Sequence, residues 1–288
     1  MIKKIFKILV ILIIFVMNTG VVQADDSIET SKINWIEGPK TVDVGNNLAK
    51  LDLSSEYIFA DGKDAKSIMK TIGNSVSGME QGIVFSKDTN EEWFVLFEFN
   101  NMGYVKDEDS NKIDSDKLLS QIKEATEEDN KQRRKDGNNT LDIIGWDEKP
   151  HYDPNTHNLT WSVLCSSEGE KIVNYNVRIL GRDGVTEVTL VANKNEIESV
   201  KPNLDSIISN YSYKEGKRYT DYIKGDKVSK IGGLAALIAG GSAASKAGIF
   251  AKIFIVFKKI WILIVVGISG VFRKIKNIFK KKDDEFNL

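Results

Sequence analysis

Residues 231–272 form an apolar stretch whose only charges are Lys246, Lys252, Lys258 and Lys259. As one helix it would run about 63 Å at 1.5 Å per residue, twice the roughly 30 Å of a bilayer core. A membrane is therefore the expected solvent for much of it. Two arrangements fit: a single span over about 231–257 followed by an interfacial helix carrying Trp261, or a hairpin of two spans turning at Lys258 and Lys259. Within the first half, Gly232, Ala236, Gly240, Ala244 and Gly248 recur every fourth residue. Such a face lets helices approach closely in lipid, so self-association through it is expected, with packing against the chain's own second apolar segment as the alternative.

At the other end, Lys3, Lys4 and Lys7 precede an apolar run over 8–17 and the small-residue sequence Val22-Gln23-Ala24, the layout of a signal peptide over 1–24. Export would place 25–230 outside the cytoplasm. A single span then leaves Lys258, Lys259, Arg273, Lys274, Lys276 and Lys280 to Lys282 on the cytoplasmic side, as the positive-inside rule prefers. The reading taken is thus one membrane segment over 231–272 and a basic cytoplasmic tail over 273–288.

Charge separates these parts. Three of the 40 Lys and Arg precede residue 25, and ten, with three of the 41 Asp and Glu, follow residue 230; the body keeps 27 basic and 38 acidic residues, a net of −11. So acidic a domain repels nucleic acid, and none is expected as a partner. The single cysteine, Cys165, excludes an internal disulfide.

Over 25–230 the apolar periodicity switches between two and 3.6, which indicates an α+β domain: an antiparallel sheet with packed helices. Strands are expected over 93–99, 159–165, 172–180 and 185–191, the last three joined into a meander by Glu168-Gly169 and Arg182-Asp183-Gly184. A helix is expected over 115–135, capped by Asp114 and ended by Gly137, and another over about 195–209, with Pro202 in its first turn or at a break. Three strands followed by a helix resemble the layered sandwich of the Mog1 and PsbP proteins.

Candidate chemistry is sparse. Asp107, Asp109 and Asn111 open like a calcium loop, but Lys112 stands where the turn glycine belongs and Leu118 where the bidentate glutamate belongs. His151 and His157 flank Asp153 at a spacing that matches no ligand motif, so these five are weak metal candidates and no metal is assigned. Asn174, Asn176 and Arg178 share one face of a strand, opposite Tyr175, Val177 and Ile179. With Arg182, Tyr152 and Asp153 nearby they could line a polar groove for a glycan or peptide; the simpler reading is a solvated sheet face. No catalytic residue and no cofactor are assigned: no Gly-x-Ser-x-Gly turn is present, and Cys165 falls on an apolar strand face.

Several blocks in order, Trp35 with Gly38-Pro39, Gly103-Tyr104-Val105-Lys106-Asp107, Gly145-Trp146 through Pro150, Tyr152-Asp153, Asn174-Tyr175, Leu180-Gly181-Arg182, and Gly216 with Arg218-Tyr219 and Asp221-Tyr222, resemble the bacterial "predicted membrane-anchored protein" family, domain of unknown function two-one-six-seven. The resemblance implies a bacterial envelope protein held in the cytoplasmic membrane, its main domain extracytoplasmic and its C-terminus cytoplasmic; it brings no activity. The expected function is a non-catalytic binding or interaction module for an envelope ligand or protein. The alternative is an envelope hydrolase, metal-dependent or not, working around Asp107, His151 and Asp153, and a third reading has the basic tail, Arg273 to Lys282, bind anionic lipid or a cytoplasmic partner and relay an external signal.

Overall fold

A computed structural model describes residues 33–74, 76–231 and 233–239. The stretches read as signal peptide and basic tail, most of the stretch read as membrane segment, and Gly232, Gly240, Ala244 and Gly248 lie outside the described residues. Among the described residues no helix is long and apolar enough to cross a membrane.

Among the described residues eleven strands form two antiparallel sheets. The large sheet takes β1 (Ile36–Glu37), β4 (Tyr57–Asp61), β5 (Glu80–Ser86), β6 (Phe94–Asn100), β7 (Asp142–Asp153), β8 (Asn158–Ser167), β9 (Glu170–Leu180) and β10 (Val185–Asn193), in the spatial order β1-β4-β5-β6-β10-β9-β8-β7. The small sheet is β2 (Lys40–Val44), β3 (Ala49–Leu53) and β11 (Tyr211–Tyr213), with β3 central. Around them lie α1 (Gly62–Thr71), α2 (Ser115–Lys135), α3 (Ile197–Ser209) and α4 (Leu234–Ala239).

The expected meander is β8-β9-β10, in register over its length. Its first turn works because Glu168 and Gly169 both take positive φ, 51° and 84°, the pair of conformations a two-residue turn needs to match the twist of its strands. Alternation along the strands feeds two cores. Val173, Tyr175, Val177, Ile179, Val188 and Leu190 point to one face, where β2, β3, β11 and α3 cover them. Trp161, Val163, Cys165, Leu96 and Phe94 point to the other, beneath α1, α2 and α4.

Helix α2 has the expected bounds, with the Asp114 carboxylate accepting from the Lys117 N–H at 3.0 Å. Its Leu118, Ile122 and Ala125 are buried on one face. Pro202 sits inside α3, past the first turn, without ending it; the helix tolerates the lost N–H because Ile197, Val200, Leu204 and Ile207 bury its apolar side. Helix α4 belongs to the stretch that the sequence assigns to the membrane segment. Its Leu234 and Ile238 are fully buried against the domain and it packs on α2. Side chains that suit lipid suit a protein core equally well, so hydropathy alone does not separate the two.

Candidate functional site

Some of the residues carrying the family resemblance gather at one end of the large sheet. Gly103 to Asp107 leave β6, Tyr152 ends β7, His157 stands in the β7–β8 turn, and Tyr219 and Tyr222 flank a 3-10 turn over Tyr219–Asp221. Tyr104 stacks on Tyr219 and on Tyr222, with ring centroids 4.5 and 4.1 Å apart, and the His157 ring lies 4.3 Å from Tyr219. The Tyr219 hydroxyl donates to the Val105 carbonyl at 3.1 Å. The Tyr152 hydroxyl donates to Asp107 at 2.6 Å and lies 3.1 Å from His157 Nδ1. Because that phenol proton is committed to Asp107, its oxygen accepts from Nδ1–H, a tautomer assigned from the network that leaves Nε2 as an acceptor.

Burial raises the pKa of Tyr104, Tyr152 and Tyr219, and for Tyr152 the hydrogen bond and the charge of Asp107 raise it further. A raised pKa keeps these phenols protonated near neutral pH, as hydrogen-bond donors and stacking surfaces.

The same motif blocks hold a strap, residues 226–231, against the domain. The Tyr104 N–H donates to the Lys227 carbonyl and the Ser229 N–H to the Tyr104 carbonyl, both at 2.8 Å, forming a parallel bridge between Tyr104 and Val228. Gly103, at φ +95°, lies so close beneath the strap that a Cβ there would meet the Lys227 carbonyl oxygen at 2.6 Å. Asp109 accepts from the Leu234 N–H at 3.0 Å and so begins α4. Arg182 grips Asp226 through two hydrogen bonds of 2.7 and 2.9 Å, which hold the Asp226 carboxyl below and the guanidinium above their usual ranges. Asp226 in turn accepts from the Ile223 N–H at 2.9 Å, fixing the turn over 223–226.

The six residues expected to line one polar groove occupy four separate places. Arg182 is tied to Asp226, Tyr152 to Asp107, and Asp153 to its own turn, where it accepts from the Asn155 backbone and from the Thr156 hydroxyl. Asn174, Asn176 and Arg178 do share a strand face, as expected, but they are 0%, 1% and 3% exposed, so the row is neither an open groove nor a solvated face. Helices α1 and α2 and the segment between α1 and β5 roof it.

Beneath that roof a polar ladder crosses four adjacent strands in register: Glu80 opposite Glu98, Glu98 opposite Glu187, and Glu187 opposite Arg178. Arg178 Nη2 meets Glu187 at 3.1 Å and its guanidinium lies 4.8 Å from the centre of the Trp161 ring. The Ser77 hydroxyl bridges the first two acids, donating to Glu98 and standing 3.2 Å from Glu80 Oε1. Arg178 Nε and Nη1 and Glu80 Oε2 have no hydrogen-bond partner among the described residues. Sequence reasoning missed this ladder, although Glu98 in FVLFEFN and Glu187 in VTEVTLVAN are acids set within apolar strands.

Of the metal candidates, Asp107 and His157 come together, 3.8 Å apart, while His151 and Asn111 are exposed elsewhere and Asp109 is occupied by α4. Among the described residues no three His, Cys, Asp or Glu side chains gather as a metal ion would require. An open groove of about 410 Å³ lies on the α3 side at the same end of the sheet. Tyr175, Val177, Ile179, Ile208 and Tyr211 give it an apolar lining, and Thr156, Asn158, Thr160, Asp205 and Ser209 a polar one. Asn158 Oδ1 is buried without a partner among the described residues.

The chain was compared with known proteins. Residues 36–269 match the sequence model of the DUF2167 family, described as proteins of unknown function. No curated protein matches. Among solved structures, it is similar to PsbP (CyanoP) of the cyanobacterium Synechocystis sp. PCC 6803, at 9% identity and TM-score 0.39 over 68% of this chain and 99% of that one. The Ran-binding protein Mog1p of Saccharomyces cerevisiae follows at 12% identity and TM-score 0.30, over 62% and 95%. The immunity protein TplEi of Pseudomonas aeruginosa stands at 10% identity and TM-score 0.26, over 60% and 75%. Likenesses of this size carry no argument about what the chain binds.

Proposed function

We propose, for a chain that belongs to the DUF2167 family of unknown function, that it is a non-catalytic binding module held at the cytoplasmic membrane of a bacterium, with its folded domain extracytoplasmic and its C-terminus cytoplasmic. The observation that carries the reading is where the motif residues are spent. Gly103, the Tyr104 backbone and Arg182 fasten the strap, and Asp109, just past the motif, fastens α4; both lead directly into the apolar stretch. A domain fastened to its own membrane segment is a tethered domain of fixed orientation. Its groove beside α3 has the size and the mixed lining of a ligand site, apolar surface with a few polar groups to orient an envelope ligand. Self-association through the small-residue face within 232–248 fits the same arrangement.

A second reading, an envelope hydrolase, draws on the Asp107–Tyr152–His157 chain, whose imidazole Nε2 is an acceptor of the kind a general base needs. A metal would have to be held by fewer than three of these side-chain types among the described residues.

Topology is the test. Single cysteines at exposed Asn111 and at Asn287 are treated with an impermeant maleimide in intact and lysed cells. Cys165, fully buried, serves as an internal control that stays unlabelled. Labelling of intact cells at 111 and not at 287 is expected; protection of 111 until lysis would sink the extracytoplasmic assignment. A His157→Ala variant that keeps full envelope function would count against the hydrolase.

A further inference from the structure

Three large apolar side chains are exposed among the described residues, and two of them, Ile223 at 58% and Val228 at 38%, lie five positions apart on and beside the strap. Leaving an isoleucine out of a core of this size is not forced by shortage of space; the backbone holds it out. The turn carrying Ile223 is closed by Asp226, which Arg182 clamps, and its preceding residue, Tyr222, is stacked on Tyr104. Ile223 is therefore presented on a rigid turn.

The charges around it run against the rest of the domain. Over 222–230 the chain has exposed Lys224, Lys227 and Lys230, and its one acid, Asp226, is neutralised by Arg182. In a body with a net charge of −11 this is a local basic surface interleaved with apolar side chains. It also immediately precedes α4, which starts at Leu234 on the Asp109 carboxylate and belongs to the apolar stretch.

We propose that this edge, Ile223, Lys224, Lys227, Val228 and Lys230, docks on the membrane surface, the lysines meeting anionic phospholipid headgroups and Ile223 entering the headgroup–acyl boundary. Apolar contact combined with lysines is the chemistry that binds such an interface, and the net acidity of the rest of the domain keeps other faces away from it. The inference rests on the tethered reading and deepens it: the tether makes the encounter intramolecular, so a weak patch is enough to fix the domain's tilt.

The test uses the full chain in phosphatidylcholine vesicles with and without phosphatidylglycerol. An environment-sensitive fluorophore is placed on Ile223→Cys, and in a second protein on Ile144→Cys, which is also exposed, at 47%, but lies on β7 near Cys165. Quenching by headgroup spin-labelled lipid should be several-fold greater at 223 than at 144. It should need the anionic lipid, and it should fall to the level at 144 in high salt or in the Lys224→Glu/Lys227→Glu/Lys230→Glu variant. Equal quenching at both positions, or quenching indifferent to the lysines, overturns the proposal and leaves the patch to a protein partner. If the chain fails to float with vesicles of either composition, the tethered reading falls and this one falls with it.

Discussion

Replacing Gly103 by alanine should loosen the strap before it affects anything else. Two costs add. A residue with a Cβ is strained at φ +95°, by about 1–3 kcal/mol. The new methyl would also stand 2.6 Å from the Lys227 carbonyl oxygen and 3.1 Å from the Ser229 nitrogen, both backbone atoms with little room to give. Relieving that contact moves the strap away from Tyr104 and stretches both 2.8 Å hydrogen bonds of the bridge, each worth about 0.5–1.5 kcal/mol net. Against these, alanine restricts the unfolded chain, which returns about 0.4–1 kcal/mol. The net expectation is a loss of about 2–4 kcal/mol. Hydrogen exchange reads it locally and urea unfolding globally. The amides of Tyr104 and Ser229 should lose protection first, and that of Leu234, capped by Asp109 on the neighbouring turn, next. Amides at 104 and 229 as protected as in the parent would refute the claim that Gly103 is there to admit the strap.

Arg178→Met should cost about 3–5 kcal/mol, because Glu187 is then left beside Glu98 without its cation, whereas Arg178→Met/Glu187→Leu should recover most of that in the same denaturant assay. The Asp226 carboxyl, lowered by Arg182, contributes stability that is present above the unfolded-state value of about 3.9 and is lost as pH falls through its lower folded value. Arg182→Gln should move the Asp226 carbon resonance titration upward, and an unchanged midpoint would contradict the clamp. Burial pushes the Cys165 thiol up to about 12, so at pH near 8 a thiol reagent should modify it only as fast as the domain unfolds, and faster labelling would mean the site opens locally.

Much of the meander was legible because local chemistry specified it. Glu168-Gly169 supplies two positive-φ residues, and Asp114 with Gly137 brackets an amphipathic run, so the β8–β9 turn and α2 sit where they were expected. The small sheet was not, since KTVDV and AKLDL are five-residue strands whose alternation becomes meaningful only once Tyr211 and Tyr213 pair beside them. Strand β7 hides for another reason: its register against β8 shifts at three places, which breaks the period. The row at Asn174, Asn176 and Arg178 shows the limit of alternation. It fixes which side chains share a face, and it is silent on whether water or two helices cover that face. Glu98 and Glu187 could have raised suspicion, but that they meet Glu80 and Arg178 depends on the order β5-β6-β10-β9, which brings together residues far apart in the chain. Asp107 and Asp109, read as the opening of an incomplete calcium loop, instead hold Tyr152 and the start of α4.

The strap also decides how the domain bears tension. A pull arriving from the C-terminal side reaches α4 and then the bridge at Tyr104, both of which pass the load sideways, into α2 and into the loop that leaves β6. Only if those yield does force reach Arg182 and, beyond it, the small sheet that β11 completes. The last strand among the described residues, β11, is thereby shielded from a pull on α4, which is absorbed by a few detachable contacts rather than by unzipping a core.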